Sequence, residues 1–142
     1  MTQRIMLLTP QLPFPAHQGA TLRNFGLIRG LAGQGFKITL LTLLEEGQPP
    51  PRETPLVNLC ERIIPIAAPS RTRQERFRDL LLGQADMARR CWTPLMARYV
   101  EQFLSSQDFD FVQIEGLEMA AYLTTIRQHA PEVKLIYDAH NV

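Results

Sequence analysis

The feature that most constrains this chain is a regular alternation of short apolar runs with helical stripes. Residues 4–9 (RIMLLT) are almost continuously apolar, the pattern of a strand buried on both faces. Residues 20–34 then place Leu22, Phe25, Ile28, Leu31 and Ala32 at helical spacing. Gly33 and Gly35 stop that helix. Residues 36–43 (FKITLLTL) are a second strand, and residues 45–58 a polar, proline-rich loop. A third, short strand spans 61–66, and Pro65 puts it at an edge or at its own end. The pattern predicts a helix over 71–83 with Ser70 as N-cap. Thr93-Pro94 starts another, a cap followed by proline at the first helical position. Behind it Leu95, Met96, Tyr99, Val100, Phe103 and Leu104 form an apolar stripe. Residues 109–114 (FDFVQI) are a strand, and residues 117–129 a helix with Met119, Tyr122, Leu123 and Ile126 inward. Residues 133–138 (VKLIYD) are the last strand.

Strands alternating with helices require crossover connections, hence a mainly parallel sheet with helices on both faces. The expected class is α/β, a Rossmann-like doubly wound sheet in one domain over residues 1–142. Ligands of such sheets sit at the carboxyl ends of the strands, near the point where strand order reverses. Four segments share that rim: 10–20, 43–46, 115–117 and 139–142. The last residues, YDAHNV, leave a strand and end on the rim, so we expect the domain to be incomplete at its C-terminus.

Composition excludes several classes. A formal net charge of +1 lacks the basic excess of a nucleic-acid binder. Cys60 and Cys91 match no metal-ligand spacing and read as reduced, packing thiols. No apolar run approaches the ~18–20 residues that span a bilayer. No charged leader precedes a short apolar stretch. The expected location is the cytoplasm. Neither G-x-G-x-x-G nor G-x-x-x-x-G-K-[ST] occurs, which disfavours a dinucleotide oxidoreductase or a P-loop enzyme.

The rim segments carry the candidate chemistry. Gly19 opens the first helix ahead of Ala20 and Arg23. A glycine there serves either a tight turn or the close approach of a ligand. A helix N-terminus favours a phosphate, and Arg23 either binds an anion or pairs with a surface acid. His140, after the last strand, can donate to a hydroxyl or phosphate or move a proton, with Asp138 and Asn141 beside it. Glu115 sits at the same rim. His17 and His129 read as structural or solvated. Residues 70–92 hold six arginines, three acids and interleaved Phe77, Leu80, Leu81, Leu82 and Trp92. They form either a helical segment packed on the sheet or a peripheral contact with the inner face of an anionic membrane.

Four segments, Pro10–Arg23, Leu31–Thr42, Asp110–Glu115 and Lys134–Asn141, follow the patterns P-x-x-P-x-x-x-G-(G/A)-x-x-R, L-A-x-x-G-(H/F)-x-(V/I)-T-L-L-T, D-F-V-x-x-E and K-L-I-Y-D-x-H-N. In this order they resemble the N-terminal domain of glycosyltransferase family 4, retaining enzymes of the two-domain GT-B type. The resemblance implies an acceptor-binding half whose donor-binding C-terminal domain, with its E-x7-E carboxylates, is absent. It implies transfer of a sugar from a nucleotide-sugar to a glycan, lipid or small-molecule acceptor. The isolated half is expected to be inactive. Gly19, Ala20 and Arg23 would meet the donor diphosphate, although many members carry a second glycine where this chain has Ala20. His140 would lie near the transferring sugar, as the catalytic residue. Glu115, Asp138 and Asn141 are the acceptor-side candidates. No cofactor or metal is implied. The alternative is a non-catalytic Rossmann-like binding or regulatory module.

Overall fold

The computed structural model describes residues 2–70, 72–82 and 90–139. Five strands form one parallel sheet in the order β3-β2-β1-β4-β5: β1 Arg4–Thr9, β2 Lys37–Leu44, β3 Arg62–Ala67, β4 Phe111–Glu115 and β5 Lys134–Asp138. The helices are α1 (Gly19–Gly33), α2 (Arg73–Leu81), α3 (Pro94–Ser106) and α4 (Leu123–His129), with short 3-10 turns at Pro51–Glu53, Pro55–Asn58 and Leu117–Tyr122.

The central strand shows why the apolar runs are continuous. Met6 and Leu8 of β1 join Val112 and Ile114 of β4 in a core beneath α3 and α4. Ile5 and Leu7 point to the opposite face, where Ile28 of α1 and Leu56 cover them with Ile38 and Leu40 of β2. Ile5 through Thr9 are therefore all inside, whereas alternation in the sequence would leave one face wet. β3 and β5 close the sheet at its two edges. Pro65 lies on β3, opposite Thr42 of β2, where a missing N–H costs no ladder bond on the outer side. On the other edge Ile136 and Tyr137 of β5 are exposed.

Local signals set the helix ends. α1 closes with the Gly35 N–H donating to the Ala32 carbonyl and the Phe36 N–H to the Leu31 carbonyl. Gly35 takes a φ of 88° there, the left-handed turn that lets orphan carbonyls at a helix end be satisfied. α3 begins as expected, with the Thr93 hydroxyl accepting from the Leu95 N–H and Pro94 next.

Three expectations are corrected. α2 is capped by Thr72, not Ser70: the Thr72 hydroxyl accepts from the Glu75 N–H, and the Glu75 carboxylate accepts from the Thr72 N–H. That reciprocal pair satisfies two orphan donors at once, which a serine two residues earlier does not do. The inward face of α1 runs through Thr21, Asn24 and Ile28, while Leu22 is 58% exposed. The helix is rotated so that its first turn presents polar groups to the rim. Finally, Phe77, Leu80, Leu81 and Leu82 are exposed instead of packed on the sheet. Three consecutive leucines sweep about 200° of helix at 3.6 residues per turn, so no single face hides them.

Candidate functional site

Strand order reverses between β1 and β4, and at their carboxyl ends a cavity of about 460 Å³ opens. This is where an open α/β sheet holds its ligand, and the volume falls within the ~300–1,000 Å³ of small-molecule sites. The walls come from the segments that leave successive strands. Pro10 and Gln11 follow β1, Glu45 follows β2, Ala68 and Pro69 follow β3, and Glu118 follows β4. Ala20, Thr21 and Asn24 of α1 and Arg90 complete the lining.

Two buried hydroxyls lie toward the carboxyl ends of the central strands. Thr9 and Thr42, at the ends of β1 and β2, are buried and hydrogen-bonded to each other at 2.7 Å. α1 begins after Gln18, whose backbone is extended. The Thr21 hydroxyl accepts from the Gln18 N–H at 3.2 Å and donates to its carbonyl at 3.1 Å, fixing the first turn. No carboxylate occupies that turn, so the positive end of the helix dipole is not neutralised from within the helix.

Two ion pairs lie at this end of the sheet. Arg23 of α1 bonds Asp138 at the end of β5, and the Asp138 carbonyl accepts from the Gly116 N–H at 2.9 Å. Gly116 has a φ of 85°, the turn that carries the chain off β4. Arg90 lies 3.6 Å from Glu118 across the cavity wall. The segment bearing Arg90 is anchored from below. The fully buried Tyr122 hydroxyl accepts from the Thr93 N–H at 2.9 Å and donates to the Cys91 carbonyl at 2.5 Å. Its ring stacks on Trp92 with centroids 5.0 Å apart. Burial pushes the phenol well above its ordinary range.

The sequence candidates divide accordingly. Ala20 lines the cavity, Gly19 precedes it in the first turn of α1, and Arg23 and Asp138 are brought together. Glu115 is fully buried at the end of β4, with Gln113 Nε2 donating to its Oε1 at 2.5 Å, so it lies below the rim. His140 and Asn141 lie outside the described residues. His129 is structural, with Nδ1 2.9 Å from the Thr125 carbonyl and Nε2 3.4 Å from Glu101. Cys91 and Cys60 are free thiols that pack into the cores on opposite faces of the sheet. Burial pushes the Cys60 thiol up to about 12.

Sequence reasoning missed Asn24, Glu45, Arg90 and Glu118. The signal for Asn24 was a polar pair, Thr21 and Asn24, spaced three apart ahead of Ile28. Among the described residues no group of three His, Cys, Asp or Glu side chains could hold a metal ion, and no helix is long and apolar enough to cross a membrane.

Comparison with known proteins agrees on architecture. The fold is Rossmann-like. Two structures of a hydrogenase C-terminal domain from Pyrococcus furiosus match with TM-scores of 0.62 and 0.59 at 14% and 12% identity. Each covers 96% of this chain, and 90% and 91% of the respective domain. TcCGT1, a GT-B glycosyltransferase solved in complex with UDP, matches with a TM-score of 0.52 at 14% identity. That match covers 98% of this chain and 28% of TcCGT1. No family model matches the chain, and no curated protein does. At these identities the likeness is one of fold.

Proposed function

We propose that this domain is the acceptor-side half of a retaining GT-B glycosyltransferase, moving a sugar from a nucleotide-sugar to a glycan, lipid or small-molecule acceptor. The observation that carries the reading is the position of the cavity: it lies at the switch point, against the acid-free first turn of α1. The likeness to TcCGT1, which binds UDP, supports it. In this reading the amides at Gly19 and Ala20 face the donor diphosphate across a cleft shared with a second, nucleotide-gripping domain. Arg23 holds the end of β5 through Asp138 and offers its outer N–H groups to the same anion. His140 and Asn141, just beyond Asp138, would serve the transferring sugar and its acceptor. The exposed flank of α2 supports a peripheral contact of residues 70–92 with an anionic membrane.

The test uses the whole protein, with nucleotide release from UDP- and GDP-sugars as the readout. A Cβ added at Gly19 meets nothing within 4 Å, so Gly19→Ala is expected to leave the fold intact, and the thermal midpoint of Gly19→Val checks the same for the larger side chain. The expected result is a donor KM raised at least about tenfold in Gly19→Val, the worth of one charge-assisted contact. His140→Ala should lower kcat with donor KM retained. No turnover of any nucleotide-sugar, or full donor affinity in Gly19→Val, would overturn the proposal. A non-catalytic module would bind ligand in the same cavity without turnover.

A further inference from the structure

Asn24 is 4% exposed, lines the rim cavity, and its Oδ1 has no hydrogen-bond partner among the described residues. A buried amide oxygen left unpaired is a standing cost to the fold. The cavity that Asn24 faces also has a definite electrostatic character. Among the described residues of the lining, Glu45 and Glu118 bring two carboxylates against one guanidinium, that of Arg90, which Glu118 already approaches. A second phosphate-like charge inside would face uncompensated repulsion. A neutral group bearing hydroxyls would not. Its O–H donates to Asn24 Oδ1, and its remaining hydroxyls can donate to Glu45 and Glu118, which accept only.

We infer that the cavity is a subsite for a neutral polyhydroxyl group, a sugar ring or polyol, and that Asn24 is its specificity-determining residue. The inference rests on reading the rim as a carbohydrate-handling site, and it divides that rim into two parts. Anionic groups belong outside, at Gly19 and Arg23. The uncharged ring belongs inside, against Asn24, Glu45 and Glu118. The first turn of α1 serves both, through its amides outward and through Asn24, one turn on, inward.

The experiment titrates the isotope-labelled chain with methyl glucoside, methyl galactoside and methyl mannoside, and separately with inorganic pyrophosphate, following amide and side-chain resonances. At least one glycoside should shift the Asn24 side-chain amide together with the Ala20 and Thr21 backbone amides, saturably. Pyrophosphate should leave the Asn24 side chain unmoved. Asn24→Leu, nearly the same size, should weaken the glycoside about tenfold, the worth of a lost hydrogen bond, and raise the melting temperature of the ligand-free chain. The wild-type shifts decide the matter even if that variant folds poorly. Pyrophosphate shifting Asn24, no glycoside shifting it, or undiminished binding in a folded Asn24→Leu would overturn the inference. Glycoside binding without sugar transfer by the whole protein would sink the transferase reading alone. Transfer without any effect at Asn24 would sink this one alone.

Discussion

Replacing Tyr122 by phenylalanine isolates what holds one wall of the cavity in place. The change removes a single oxygen and keeps the ring, its volume and its stack on Trp92 at 5.0 Å. Two backbone groups lose their partner, the Cys91 carbonyl at 2.5 Å and the Thr93 N–H at 2.9 Å. A buried polar group stranded in this way costs about 1–3 kcal/mol. The Cys91 carbonyl is buried and takes the upper part of that range; the Thr93 N–H is only partly buried, so water replaces the phenol there and it adds little. The expected loss is therefore ~2–3 kcal/mol, out of a total of about 5–15 kcal/mol for a typical domain. For a chain near this length that lowers the melting temperature by roughly 5–10 °C. Urea unfolding is the assay, with Trp92, the only tryptophan in the sequence, as the fluorescent reporter. The midpoint should fall with the slope unchanged. Because residues 91–93 lead directly from Arg90, ligand-induced shifts at Arg90 and Glu118 should also broaden. A loss below about 0.5 kcal/mol, the scatter of ordinary surface changes, would refute the reasoning that these two groups depend on the phenol.

Two further predictions concern pH and the membrane. Burial raises the thiols of Cys60, to about 12, and Cys91, and also the Tyr122 phenol, above their ordinary values. In the unfolded chain the thiols release protons near 9 and the phenol near 10, while the folded chain still holds them, so the unfolded state binds fewer protons and stability falls as pH rises. The urea midpoint should hold steady below pH about 8.5 and then decline, less steeply in Cys60→Ala; a flat profile to pH about 10.5 would remove the claim that these groups are buried neutral. The exposed Phe77, Leu80, Leu81 and Leu82 should carry the chain onto phosphatidylglycerol vesicles at low salt, and Phe77→Glu with Leu81→Glu should release it. Sedimentation without vesicle binding in the unaltered chain would end the membrane reading.

How far the fold was legible follows from what each residue had to satisfy. Strands β1 and β2 announce themselves because both their faces are covered, so burial leaves a nearly continuous apolar run that nothing else of that length requires. The start of α3 is legible because Thr93 and Pro94 act through local geometry alone. The N-cap of α2 was missed by two residues because Ser70 and Thr72 are equal by type; the Glu75 three residues after Thr72 is what separates them. The site was harder. Gly19 and Ala20 could be placed by chain order, since any helix following β1 must begin at the rim. Asn24 could not, because the rotation of α1 about its own axis is set by packing over β1 and β2. The apolar stripe through Leu22 and Phe25 fits a helix turned by one residue, about 100°.

That rotation has a physical consequence for the site. Had α1 turned Leu22 inward, the first turn would have buried a large apolar side chain and closed the cavity mouth. Instead Leu22 is exposed, and two polar side chains, Thr21 and Asn24, are buried beneath the rim. Thr21 recovers its bonds within the turn through Gln18, but Asn24 finds none for its oxygen among the described residues. A fold that hides an unpaired amide while exposing a leucine on the same helix has given up stability at one spot. Such departures from the apolar pattern gather where a ligand completes the bonding. The same helix keeps Ile28 over the core and Leu31 against it, so the exchange is confined to the turn that meets the cavity. Local frustration and the switch point of the sheet thus coincide at Asn24, which is why the amide oxygen there, and not the charged residues around it, is the group on which recognition turns.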